Sequence, residues 1–126
     1  MSLVPEDLKY TKDHEWARLE GGADGIATVG VTDHAQKELG DIVFVELPKV
    51  GAKLKAGSSF GTVEAVKTVA ELYAPVSGTV TDVNAALSGD AGVINTDPYG
   101  KGWIIKIKLD GPPSDLMDPA AYKAII

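Results

Sequence analysis

The sequence predicts a mainly-β domain edged by short helices, and three observations carry that expectation. Fourteen glycines and seven prolines punctuate short runs rich in β-branched residues, as tight turns between strands would. Each run is strand-sized rather than helix-sized. The clearest is Trp103 to Leu109, in which Ile105, Ile107 and Leu109 alternate with Lys106 and Lys108, the pattern of one buried and one solvated face.

In chain order, the expected strands are Glu15 to Glu20, Gly25 to Val31, Ile42 to Leu47, Phe60 to Val66, Val69 to Ala74, Gly78 to Val83 and Trp103 to Leu109. In the last, Trp103, Ile105, Ile107 and Leu109 are expected in the core. Between the second and third strands, Thr32 suits the N-cap of a short helix over Asp33 to Leu39. Asp33 stands near its positive end, Ala35 and Leu39 share a face, and Gly40 suits a left-handed C′ position. Near the C-terminus, Ser114 and Asp118 are candidate N-caps, the second followed by Pro119 at the first helical position. A weak echo, Gly-Thr-Val-x-x-Val, begins at Gly61 and again at Gly78; shared strand grammar accounts for it as well as a duplicated hairpin does.

The chain has 126 residues, the size of one domain. Its apolar fraction of 44% and charged fraction of 24% belong to a folding globular chain rather than a disordered one. Eighteen acidic residues against twelve basic give a net charge of −6, so a phosphate backbone would be repelled, and nucleic acid is an unsuitable partner. Without cysteine, disulfides, thiolate metal sites and thiol nucleophiles are excluded, and any sulfur chemistry must be imported. The longest apolar runs fall far short of the roughly 18 residues that span a bilayer, and the N-terminus resembles no targeting peptide. The expectation is a protein of the cytoplasm, or an already processed organellar one.

Chemistry-bearing motifs are few. His14 lies between Asp13 and Glu15, and His34 follows Asp33. There is no metal-binding histidine pair and no nucleophile elbow, so a hydrolase built on either histidine lacks its nucleophile; both read as structural or surface residues, and no metal site is expected. The glycines from Gly57 to Gly61 match neither a Walker loop nor a dinucleotide fingerprint. More informative is the stretch from Gly61 to Gly78, where two β-prone runs flank Val66-Lys67-Thr68. This reads as a hairpin with Lys67 at its tip, although a hairpin turn ordinarily favours Asn-Gly or Asp-Gly. Lysine there is either a solubilising charge or a group displayed for modification.

Glu64-Ala65-Val66-Lys67 resembles the lipoyl-lysine hairpin of the glycine cleavage H-protein family. Tyr10-Thr11-Lys12-Asp13-His14-Glu15-Trp16 resembles the family's entry motif. Val29 to Gln36 followed by Leu39-Gly40-Asp41, Val43 to Pro48, Pro75 to Gly78, and Asn95 to Trp103 complete the series in family order over about residues 8–110. Two positions depart from the usual pattern: Thr68 replaces a frequent Ala, and Gly89-Asp90-Ala91-Gly92 lacks a usual proline. Biotin-accepting domains favour Met on both sides of the lysine, and lipoyl domains of 2-oxo-acid dehydrogenase complexes favour Asp before it. Here the flanks are Val66 and Thr68.

The resemblance implies a lipoyl-domain-like flattened barrel or sandwich of two antiparallel sheets, a single carrier domain over 1–126 with its core at about 8–110 and a helical appendage at about 114–126. It implies no enzyme activity. Lipoate would be amide-linked to Lys67 and shuttle the aminomethyl group of glycine among a pyridoxal-phosphate-dependent glycine decarboxylase, a tetrahydrofolate-dependent aminomethyltransferase and dihydrolipoyl dehydrogenase, after attachment by a lipoyl ligase or transferase. Neither membrane nor nucleic acid would be a partner, and a monomer is expected. The location would be the bacterial cytoplasm or, in a eukaryote, the mitochondrial matrix. The aminomethyl cargo carries an amine that water would release, so a protecting pocket with carboxylates is expected. Asp13, Glu15 and Glu71 are the candidates, with His34 on the same cleft and Glu15 pictured as a rim acid of little weight in the empty protein. The competing reading is an unloaded, H-protein-like regulatory or lipoate-relay module.

Overall fold

The computed structural model describes residues 3–113 and 116–126. In order along the chain come β1 (Lys9–Tyr10), β2 (Glu15–Glu20), β3 (Ile26–Val31), α1 (Asp33–Leu39), β4 (Ile42–Glu46), β5 (Lys53–Leu54), β6 (Ser59–Ala65), β7 (Val69–Tyr73), β8 (Gly78–Val83), α2 (Val93–Thr96), β9 (Ile105–Leu109) and α3 (Pro119–Lys123), with 3-10 turns at Gly22–Asp24 and Ala85–Ser88. The expected strands all form, with ends shifted by a residue or two. The two-residue strands β1 and β5, the turn at Ala85–Ser88 and α2 were not foreseen, being too short for any periodicity to register.

Six strands make one antiparallel sheet in the order β1-β2-β3-β9-β8-β5, and β4-β6-β7 make a second. The two pack as a flattened sandwich rather than a closed barrel. Between them lies the main core, in which Val29, Val63, Ile94, Ile104, Ile105 and Ile107 are fully buried. The two Gly-Thr-Val echoes fall on β6 and β8, one in each sheet. A smaller core of Leu8, Tyr10, Trp16 and Tyr122 lies beside β1 and α3. There the Trp16 indole crosses Gly30, its partner on β3, so closely that a Cβ on that glycine would meet the ring at 2.7 Å.

Local signals place the helices. Thr32 Oγ1 accepts from Ala35 N–H at 3.1 Å, capping α1 as expected. Gly40 ends it with φ +80° but ψ −155°, an extended mirror-image conformation open to glycine rather than the left-handed helical one expected. Asp118 accepts from Ala121 N–H at 2.8 Å, ahead of Pro119. The expected cap at Ser114 lies outside the described residues.

One phase expectation needs correction. Ile105, Ile107 and Leu109 are in the core, but Trp103 precedes β9 and is only half-buried. The alternation breaks because Ile104 and Ile105 are both fully buried. Asn84 holds this approach as a loop, its side-chain amide donating to the carbonyls of Lys101 and Trp103, and Trp103 faces the Lys106 ammonium, 5.2 Å from its ring. In β4, a bulge between Ile42 and Phe44 turns both Val43 and Phe44 outward, where simple alternation would bury one of them.

Candidate functional site

The β6–β7 hairpin carries the lysine singled out by sequence. Ala65 N–H donates to Thr68 O across the turn, and Val66 N–H donates to Asp41 O at 3.0 Å, so the tip is tied to the α1–β4 connection as well as closed on itself. That connection is clamped in turn by Asn95. Its Oδ1 accepts from Ile42 N–H at 2.9 Å, and its Nδ2 donates to Gln36 Oε1 and to Gly40 O. Lys67 is exposed, and its stem passes over Gly40: a Cβ on that glycine would lie 3.4 Å from Lys67 Cε. The backbone beneath the lysine is therefore held while the side chain is free to extend.

From this corner a cleft of about 170 Å³ runs between α1 and β7. Ala35, Glu38 and Leu39 line one wall, Ala70, Glu71 and Leu72 the other, with Val31 between them and Asp13, His14 and Glu15 also on the lining. Strand β7 leads from the lysine to Tyr73, whose N–H donates to Glu15 Oε2 at 2.9 Å; the strand spans about 13 Å at an ordinary strand rise. Asp13, Glu15 and Glu71 all line this one cleft. His34 is not among the lining residues. Its ring packs 4.8 Å from that of His14, which does line the cleft. Thr11, Tyr73 and Asn95 were not anticipated: Tyr73 and Asn95 act through contacts distant in sequence, and Thr11 through a hydroxyl bond to Glu15 four residues on.

Glu15 is not a rim acid. It is 2% exposed, held by Tyr73 N–H and by the Thr11 hydroxyl, which donates to Oε1 at 3.0 Å. Burial pushes its carboxyl up from 4.5 to about 8, against the pull of those two hydrogen bonds. In the empty cleft at neutral pH it is therefore mostly protonated, which spares the fold a buried, uncompensated charge. A raised acid stabilises the folded state below its unfolded value and loses that contribution as pH climbs to the folded one. Stability of the native protein should accordingly fall as pH rises from 4.5 to about 8, by at most about 1.4 kcal/mol per pH unit. Glu15→Gln, which cannot ionise, should lack this component. Urea unfolding of both proteins across the window checks it, and parallel pH profiles would be the contrary result.

Elsewhere, residues matched only by sequence blocks meet in space. Trp16 Nε1–H donates to Pro98 O at 3.0 Å, and Asp33 N–H donates to the Tyr99 hydroxyl at 2.9 Å. The block after Asn95 thus buttresses both the strand that carries Glu15 and the start of α1. Among the described residues no three metal-ligating side chains converge.

A two-sheet sandwich that displays a lysine on a clamped hairpin beside a narrow cleft has the architecture of a carrier domain. Comparison with known proteins agrees. The family model described as glycine cleavage H-protein matches residues 8–126. The glycine cleavage system H protein of Rubrobacter xylanophilus is 56% identical over 122 residues, covering 97% of this chain and 94% of its own length. That of Chlorobium limicola is 58% identical over 127 residues, covering 98% and 97%. The crystal structure of a glycine cleavage system H protein from Mycobacterium marinum matches with a TM-score of 0.89 at 44% identity, over 96% of this chain and 97% of that one. The chain belongs to the glycine cleavage H-protein family. It is a lipoyl carrier, bearing lipoate on a lysine, and not a catalyst; it works with the other components of the glycine cleavage system. These relatives are bacterial, and among the described residues no helix is long and apolar enough to cross a membrane.

Proposed function

We propose that Lys67 is the lysine that bears lipoate, and that the cleft between α1 and β7 holds the aminomethyl cargo with Glu15, Asp13 and Glu71 around its ammonium. The observation that carries this reading is the juxtaposition of an exposed lysine on a clamped tip with a cleft containing a buried carboxyl. The lining fits such a group: Val31, Ala35, Leu39, Ala70 and Leu72 suit a methylene arm, and the three acids suit a cation. Attached lipoate supplies the dithiolane sulfurs that this cysteine-free chain lacks.

The chain's own residues do the rest. Arrival of an ammonium beside Glu15 favours its ionised form, so loading releases a proton from Glu15 and converts a neutral carboxyl into the counter-ion the cargo needs. His34 acts one layer back, through its ring contact with His14. Around the tip, Val43, Phe44, Val66 and Val69 are exposed beside the acidic Asp41, Glu46 and Glu64, a surface suited to brief, salt-sensitive encounters. There we place, in turn, a lipoyl ligase or transferase, the pyridoxal-phosphate-dependent glycine decarboxylase, the tetrahydrofolate-dependent aminomethyltransferase and dihydrolipoyl dehydrogenase, met by a single-domain, monomeric carrier in the bacterial cytoplasm.

Expression with lipoate and a lipoate-attaching ligase tests the assignment. The intact protein should gain the mass of one lipoyl group, found on the peptide containing Lys67. A gain on any other peptide would refute it.

A further inference from the structure

Helix α3 sends one large side chain into the interior. Tyr122 is fully buried, its ring stacked on Tyr10 at 4.7 Å and 8°. Its hydroxyl lies 2.9 Å from His14 Nδ1 and 2.7 Å from Thr32 Oγ1. Thr32 caps α1, and its N–H donates to His14 O; His14 N–H donates to Thr11 O, and the Thr11 hydroxyl holds Glu15. One phenolic oxygen therefore joins three elements: the C-terminal helix, the first turn of α1 and the Asp13–Glu15 turn. The last two supply lining residues of the cleft.

His14 needs such a tie. Its φ of +66° is the only positive value among the described non-glycine residues, a conformation costing about 1 kcal/mol or more that persists only when its surroundings enforce it. Its protonation pattern is tied as well. Either Tyr122 donates to Nδ1 and accepts from the Thr32 hydroxyl, or Nδ1–H donates to Tyr122, which then donates to Thr32. The ring's tautomer and the two hydroxyl orientations change together. Burial and the neighbouring His34 lower the His14 pKa, against the opposite pull of Asp13 and Glu38. The favoured neutral ring adds no cation to compete with the cargo for Glu15.

We propose that Tyr122 is a positioning residue for the cargo cleft, acting through His14: the C-terminal helix sets the conformation and tautomer of the His14 ring and thereby the shape of the cleft around Glu15. This rests on the reading of the cleft as the cargo site and adds the C-terminal helix to it.

Tyr122→Phe keeps the stacked ring and removes only the hydroxyl. Three measurements on the lipoylated protein follow. Lipoyl attachment should be unchanged, because no contact of Tyr122 reaches the hairpin tip. The ¹⁵N resonances of the His14 imidazole in the unloaded protein should change their tautomer pattern. Ammonia release from the isolated, aminomethyl-loaded protein should accelerate by roughly three- to tenfold, the effect of one lost hydrogen bond. In a His14→Asn background, whose side chain tolerates the positive φ, Tyr122→Phe should add no further acceleration. An additive effect there would overturn the coupling, as would an unchanged His14 spectrum. Unchanged release in Tyr122→Phe while Glu15→Ala accelerates it would overturn the role of Tyr122 and leave the cargo site standing. Unchanged release in both would overturn the cargo site and this proposal with it.

Discussion

Lys67→Arg is expected to abolish lipoyl attachment altogether while leaving the fold intact. Acyl transfer to an amide needs a nitrogen lone pair. A lysine ammonium yields one by losing a proton, whereas a guanidinium stays protonated in proteins and spreads its electrons over three nitrogens. The substitution keeps the positive charge and the length of the side chain. It also touches none of the bonds that shape the tip, since Ala65 to Thr68 and Val66 to Asp41 are backbone contacts. As Lys67 is exposed, the change in stability should be within about 0.5 kcal/mol. The chain holds ten other lysines, so the result discriminates: lipoyl mass on the arginine variant, after incubation with ligase and lipoate, would assign the arm to one of them.

The second large effect is expected at Glu15, and it is greatest after loading. Glu15→Ala removes the buried carboxyl, leaving Tyr73 N–H and the Thr11 hydroxyl without their partner. That should destabilise the empty protein by about 1 to 3 kcal/mol, partly offset by relief of carboxyl burial. The larger consequence concerns the cargo. Losing the counter-ion of a partly desolvated ammonium weakens its hold by roughly 1 to 3 kcal/mol, so ammonia release from loaded protein should accelerate by about one to two orders of magnitude. Glu15→Gln retains an acceptor and should fall between alanine and the native residue. Ammonia measured over time, with no aminomethyltransferase present, reads all three forms. Identical decay would remove Glu15 from the site and leave Asp13 and Glu71 to act without it.

How much of this was legible in the sequence depends on the range of each interaction. Strand positions, the Thr32 and Asp118 caps and the tip position of Lys67 are set by local patterns, and those patterns are visible in a single chain. The burial of Glu15 is not, because its enclosure comes from Tyr73, 58 residues away. The same holds for Asn95, which clamps the corner under Lys67 from 53 residues beyond Ile42. The place of His14 on the cleft is not legible either, because the phenol that ties it down arrives 108 residues later. Trp103 and the β4 bulge mark the other limit: alternation read from the sequence cannot show where a strand starts or slips phase.

The arm borne by Lys67 is proposed to lay its cargo in the cleft between α1 and β7. The most direct measurement is the change in backbone amide resonances between lipoylated protein before and after aminomethyl loading. Shifts are expected at Asp13 to Glu15, along Ala35 to Leu39 and along Ala70 to Tyr73, with the Tyr73 amide among the largest because its acceptor, Glu15, becomes charged. Shifts confined to the hairpin tip around Val66 to Thr68 would mean that the loaded arm stays in solvent, and would contradict the claim.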